Sequence, residues 1–225
     1  MSFVPIGFAL LIVEAAAKHE SQHKALLDAG VMEALEYAAA HDFVFLDINL
    51  SAFGAGSLVA LVGRNEGGKT LSLQAVTSIA ASLHKYFKAG TPFADSSATT
   101  ILKSGISRIV TMAISDANKR LMLQCDGLID TLINCPLLDP GNKRRDQNGG
   151  DALQEAAAGT LHELSLFGPW AAALKSHSGM MSALRELLDV GTKAAKESAA
   201  AALFELDDKA HAAATAAGGG DDGSG

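Results

Sequence analysis

Apolar positions recur along the chain at helical spacing, and one block of this pattern occurs twice. The segment Leu153–Leu164 aligns with Ala195–Leu206 at an offset of 42 residues. The matched positions are Leu161, Glu163 and Leu164 in the first block and Leu203, Glu205 and Leu206 in the second. Because residues three and four apart share one face of a helix, the blocks predict two copies of a helix with one buried face.

A glycine followed by a short amphipathic segment precedes each of these helices. The two glycines are Gly127 and Gly179, 52 residues apart, and the Gly/Asn-rich segment 139–151 accounts for the longer spacing as a loop. Further copies begin at Gly56 and, more weakly, at Gly30 and within residues 98–113. Since glycine supplies the left-handed or tightly turned backbone that joins two helices, these positions predict helix junctions. Residues 42–50 depart from the pattern, and their β-branched and aromatic content would also fit a strand. Because a lone strand would have no partner, we interpret them as a degenerate third helix.

A short helix, a glycine, a second helix and a long third helix, in this order, resemble the armadillo repeat over roughly residues 20–207, with HEAT repeats as the close competitor. The resemblance implies an all-α, right-handed superhelical solenoid of about four to five repeats, two of them degenerate, within residues 1–207. Residues 208–225 are rich in Ala and Gly and predict a flexible tail or linker. Because they end in linker-like sequence, we expect the chain to be part of a longer protein.

Composition narrows the class of protein. Hydrophobic residues make up 48% of the 225 residues, aromatic residues 5%, and the formal net charge is −7. The apolar content excludes a disordered chain, and no apolar run is long enough for a membrane span. The negative charge argues against general nucleic-acid binding. Two cysteines, Cys125 and Cys135, cannot form a disulfide framework, which favours a reducing, cytoplasmic compartment.

The resemblance implies a concave groove that binds another protein, without catalysis and without a cofactor. Importin-like members hold a peptide with a third-helix Asn, and the positions that match it here are Ser78, Glu163 and Glu205. Recognition of that type is therefore not expected. The carboxylates instead favour a basic segment of the partner, the alternative being that they are ordinary solvated helix residues.

A second hypothesis is a regulatory or autoinhibitory armadillo region of a longer multidomain protein, for example one with a C-terminal TIR effector domain. A third and more distant hypothesis is a zinc-dependent hydrolase. His19-Glu20-Ser21-Gln22-His23 matches the H-E-x-x-H motif, in which two histidines bind zinc and Glu is the general base. No third ligand and no substrate-binding sheet accompany the motif, so we predict a solvated helix end and no metal site.

Two further motifs lie in predicted turns and loops. Gly63–Thr70 matches the P-loop pattern, with Lys69 before the final Thr, but no parallel sheet or downstream magnesium-binding Asp accompanies it. We therefore predict a turn between helices and no nucleotide hydrolysis. The basic loop Lys143, Arg144 and Arg145 is a candidate binding site for phosphate or an acidic partner, although short runs of basic residues in loops are usually only solvated.

Residues 3–17 are too apolar for the exposed end of a solenoid. We expect Phe8, Leu11 and Ile12 to pack near Val31 and Leu35. Any apolar face that remains exposed would be available to pack against a missing repeat or a second chain, which predicts self-association through this helix.

Overall fold

The computed structural model describes residues 4–40, 44–45, 48–62, 71–88, 105–136, 138, 150–168 and 171–218. The chain divides into two compact units, Met1–Thr131 and Leu132–Gly225. The described residues are almost entirely helical, which confirms the all-α prediction. None of the described helices combines the length and the apolar composition that crossing a bilayer requires.

The described residues of the first unit form helices and one short antiparallel strand pair. Its elements are α1 (Val4–Ala17), α2 (Glu20–Asp28), α3 (Val31–Ala40), β1 (Val44–Phe45), β2 (Ile48–Asn49), α4 (Leu50–Val62), α5 (Leu73–Lys88), α6 (105–112) and α7 (Asp116–Met122). Helix α4 packs against α1, α3 and α5. The largest fully buried side chains here are Leu35, Leu58, Ile79, Leu83, Ile109, Met112, Met122 and Leu128. This core is therefore made mainly of large aliphatic residues.

Helix α8 (Leu128–Asn134) spans the boundary between the units, and α9 (Gly150–Ser165), α10 (Ala171–Ser176), α11 (Met180–Val190) and α12 (Lys193–Gly218) follow. Helix α12 packs against α9, α10 and α11. Its buried face consists of Ala195, Ala199, Ala202 and Leu206. The Ala-rich segment from residue 208, where a tail was predicted, continues this helix as far as Gly218, because Ala is the strongest helix former.

The predicted junction glycines are confirmed at three positions. Gly30, Gly127 and Gly179 have φ values of 73°, 72° and 84°, in the left-handed region that favours glycine. Each directly precedes a helix, α3, α8 or α11. The prediction is wrong at Gly56, which lies inside the continuous helix α4.

The degenerate third helix predicted at residues 42–50 is also wrong. Val44 pairs with Asn49 and Phe45 with Ile48 in a short antiparallel ladder, and α4 begins at Leu50. β-Branched and aromatic side chains favour extended backbone, which explains why this segment leaves the helical pattern.

Helix α1 packs differently from the sequence prediction. It contacts α4, and its buried residues are Leu10, Glu14 and Ala17. Phe8 and Ile12 are 55% and 69% exposed, so the predicted packing of these side chains near Val31 and Leu35 is wrong. Because α1 is apolar on every side apart from Glu14, its pattern alone does not select the face that is buried. Self-association through this helix stays a prediction.

Candidate functional site

Helices α9 and α12 lie side by side and run in the same direction. Near their starts the Thr192 backbone N–H donates a hydrogen bond of 2.8 Å to Oε1 of Gln154. About one and a half turns later, a Cβ placed on Gly159 would lie 4.0 Å from Oγ of Ser198. The two pairs are separated by nearly equal numbers of residues, which requires parallel helices in contact along their length.

Two of the predicted binding residues lie on these two helices. Glu163 follows Gly159 by one turn of α9, and Glu205 follows Ser198 by two turns of α12. Both glutamates are half-buried. We call the set Gly159, Glu163, Ser198 and Glu205 the α9/α12 seam. Ser78, the third predicted binding residue, is a half-buried residue of α5 in the first unit.

Polar contacts around the seam hold the helices in place. Gln154 also donates from Nε2 to the Pro136 carbonyl oxygen at 2.9 Å, so one side chain connects two backbone segments. Lys175 of α10 donates to Oδ1 of Asp207 of α12 at 2.8 Å. This hydrogen bond, and then the charges of Lys175 and Arg185, lower the pKa of Asp207. The end of the seam is therefore tied to α10 through an exposed ion pair.

The histidines of the H-E-x-x-H motif do not share a helical face. His19 precedes α2 with extended backbone, at φ −105° and ψ 108°, while His23 lies inside the helix. Nε2 of His23 is 2.7 Å from the Ala17 carbonyl oxygen and donates its proton there, so this nitrogen is not available to a metal and only Nδ1 keeps a lone pair. In the part of the chain that the structure describes, no group of three or more His, Cys, Asp or Glu could hold a metal ion.

Two predicted motifs lie outside the described residues: the P-loop-like segment Gly63–Thr70 and the basic loop Lys143, Arg144 and Arg145. The two cysteines are described, and both are buried free thiols. Burial raises the pKa of Cys125, so its thiol stays protonated and is a poor nucleophile.

Sequence analysis missed a buried ion pair in the first unit. Arg108 of α6 donates from Nη2 to Oε1 of Glu14 of α1, and the two side chains are only 14% and 8% exposed. Gly56 of α4 makes room for this pair, because a Cβ there would overlap the Arg108 guanidinium. In the sequence, Glu14 could have indicated this pair, because it is the single charged residue in α1 and a buried charge needs a partner.

No family model, curated protein or solved structure matches the chain. The resemblance to armadillo repeats therefore depends on the residues alone.

Proposed function

We propose that the chain is a non-catalytic protein-interaction domain of armadillo-like repeats, and that the α9/α12 seam binds a Lys- or Arg-bearing segment of another protein. The observation that supports the proposal is that Glu163 and Glu205 are half-buried residues of α9 and α12, two helices that pack together. Side-by-side helices of the same direction are what stacked repeats produce, and the surfaces of such repeats bind extended partners.

Burial makes the two seam carboxylates better recognition groups than ordinary surface glutamates. Glu163 and Glu205 are half-buried, whereas Glu155 of α9 and Glu186 of α11 are exposed. A charge-assisted hydrogen bond to a partially desolvated carboxylate is stronger than one in open water, and it is less screened by salt. A cationic segment along the seam would therefore gain more free energy from Glu163 and Glu205 than from Glu155 and Glu186.

The test compares two double variants of the full chain with equal changes in net charge. A fluorescein-labelled peptide of alternating Lys and Gly, about ten residues long, serves as the probe, and its anisotropy reports binding. We expect Glu163→Gln together with Glu205→Gln to raise the Kd roughly tenfold, the loss of one or two charge-assisted contacts.

The control is Glu155→Gln together with Glu186→Gln, which we expect to change the Kd less than about twofold. Equal losses in the two double variants would mean that the peptide responds only to net charge, and absence of binding to the unmodified chain would refute the seam as a basic-segment site. Gln keeps the size and hydrogen-bonding capacity of Glu, and circular dichroism checks that the helices are retained.

A further inference from the structure

The outer side of α12 carries an exposed aromatic ring. Phe204 is 64% exposed, more than any other large apolar residue in the described part of the second unit. It is two residues from both Ala202 and Leu206, which are fully buried, and a separation of two residues places side chains on nearly opposite sides of a helix. The core of the unit therefore does not cover this ring.

Two small residues lie beside the ring. Ala200 is exposed and Ala201 is half-buried, and they precede Phe204 by four and three residues, on the same side of α12. Large side chains in helices lean over the preceding turn, which is the turn that contains these alanines. We call Ala200, Ala201 and Phe204 the Phe204 patch. A large apolar side chain of a partner fits this patch, lying on the alanines with one side against the ring.

The charged residues at the two ends of the Phe204 patch are acidic. Glu197 lies one turn before Ala201, and its side chain is 69% exposed. It is 4.0 Å from Nζ of Lys193, a long contact between two exposed side chains that contributes little. Glu205 of the α9/α12 seam follows Phe204 directly and is half-buried. A partner residue on the patch thus has a carboxylate on either side.

We propose that the Phe204 patch binds a large apolar residue of the same basic segment that the α9/α12 seam binds. The partner is then a segment in which Leu, Met or an aromatic residue is flanked by Lys or Arg. This inference rests on the proposed function and narrows its partner. The apolar residue contributes affinity by leaving water, and the flanking cations reach Glu197 and Glu205.

Charge complementarity favours this partner over others. A wholly apolar segment would remove water from Glu205 without giving the carboxylate a partner, and an acidic segment would be repelled. A second copy of this chain, placed patch to patch, would bring two sets of Glu197 and Glu205 together, and such like charges oppose pairing. A basic segment with an apolar residue satisfies both the ring and the carboxylates.

The experiment measures the binding of three fluorescein-labelled peptides to the full chain by anisotropy. The first is the alternating Lys–Gly peptide described above, and the second differs from it by one central Leu in place of Gly. The third contains the same Leu but has Ser in place of every Lys. We expect the Leu–Lys peptide to bind about three- to tenfold more tightly than the Lys–Gly peptide, and at least about tenfold more tightly than the Leu–Ser peptide.

The matched variants are Phe204→Ala and Val190→Ala. Val190 is the last residue of α11 and is 49% exposed, so each variant removes an exposed apolar side chain of the second unit. We expect Phe204→Ala to raise the Kd of the Leu–Lys peptide about three- to tenfold and to leave that of the Lys–Gly peptide within about twofold. Val190→Ala should leave both within about twofold, and circular dichroism checks that the helices are retained.

The outcomes separate this inference from the proposed function. If neither basic peptide binds, both fail together. If the Lys–Gly peptide binds but Leu adds nothing, or if the gain from Leu survives Phe204→Ala, only the inference about the Phe204 patch is overturned. Equal losses in Phe204→Ala and Val190→Ala, or Leu–Ser binding as tight as Leu–Lys binding, would overturn it too. So would a dimer in sedimentation that Phe204→Ala dissociates, because a second copy would then occupy the patch.

Discussion

Helix α12 of the second unit and the core of the first unit bury different side chains. In the second unit the long helix α12 turns mainly alanines inward, Ala195, Ala199 and Ala202, and its contacts with α9 are those of two closely spaced backbones. In the first unit Leu58, Ile79 and Ile109 fill the core, and a charged pair is buried beside α4. Small residues permit close helix packing, whereas large ones keep helix axes further apart.

This difference decides which substitutions destabilise each region. A closely packed Ala face has no space for added atoms, while a core with a buried ion pair depends on both charges being present. The sequence repeat is clearest in the second unit, whereas the described part of the first unit contains an antiparallel strand pair that departs from the repeat.

The largest expected effect concerns the first unit. Glu14→Ala leaves the Arg108 guanidinium largely buried without its carboxylate, and we expect a loss of about 3–5 kcal/mol in the free energy of unfolding of this unit. Hydrogen exchange of α1 and α4 amides measures the loss locally, which matters because a chain with two units need not unfold in one step. Combining Glu14→Leu with Arg108→Met should recover most of the loss. If the double variant is as unstable as Glu14→Ala, the charge is not the cause.

The second effect concerns the Ala face of α12. Ala199 is fully buried, and Ala199→Leu must force α12 away from its neighbours, at a cost of about 1–3 kcal/mol. Exchange of α9 and α12 amides should accelerate. The control is Ala200→Leu, which adds the same atoms on the exposed side of the helix and should be nearly neutral. Equal costs for the two variants would mean that close packing does not distinguish this helix face.

Two glycine substitutions compare the effect on stability at a helix junction with the effect inside a helix. Gly179 has φ 84°, so Gly179→Ala should destabilise the second unit by about 1–2 kcal/mol. Gly159 lies inside α9, where an added Cβ would make only ordinary contact with Ser198, so Gly159→Ala should stabilise the unit by about 0.5–1 kcal/mol. Thermal unfolding followed by circular dichroism measures whether each variant is less or more stable than the unmodified chain. A stabilising Gly179→Ala would contradict the left-handed junction.

The smallest effect is the pH dependence of the Lys175–Asp207 pair. Its hydrogen bond lowers the pKa of Asp207 in the folded chain, so the pair stabilises the fold above the ordinary carboxyl pKa of about 3.9 and loses this contribution as the pH falls through the lower, folded value. Asp207→Asn should therefore lower Tm slightly at pH 7, and the difference from the unmodified chain should shrink below about pH 3.9. Because the pair is exposed, high salt should reduce the difference as well. A difference that is constant from pH 7 to acid would show that the charge of Asp207 plays no part.

Much of the fold follows from local preference. The spacing of Leu161 and Leu164 predicted α9, and Gly127 and Gly179 predicted the junctions before α8 and α11, because a helical period and a left-handed backbone each have a direct signature in residue type. That Glu163 and Glu205 belong to one binding surface stays a prediction, because it depends on how the two helices pack. The function of that surface stays a prediction as well.

The remaining features depend on contacts between residues far apart in the chain. Helix α1 is apolar on nearly all sides, so only its packing against α4 and the pairing of Glu14 with Arg108 decided that Phe8 and Ile12 face outward. The sequence by itself determined most of the helices and the junctions at Gly30, Gly127 and Gly179, because propensity and periodicity act over a few residues. Tertiary structure alone decided which face of a uniformly apolar helix is buried and where a charge can be neutralised, because both depend on the free energy of contacts that no local pattern contains.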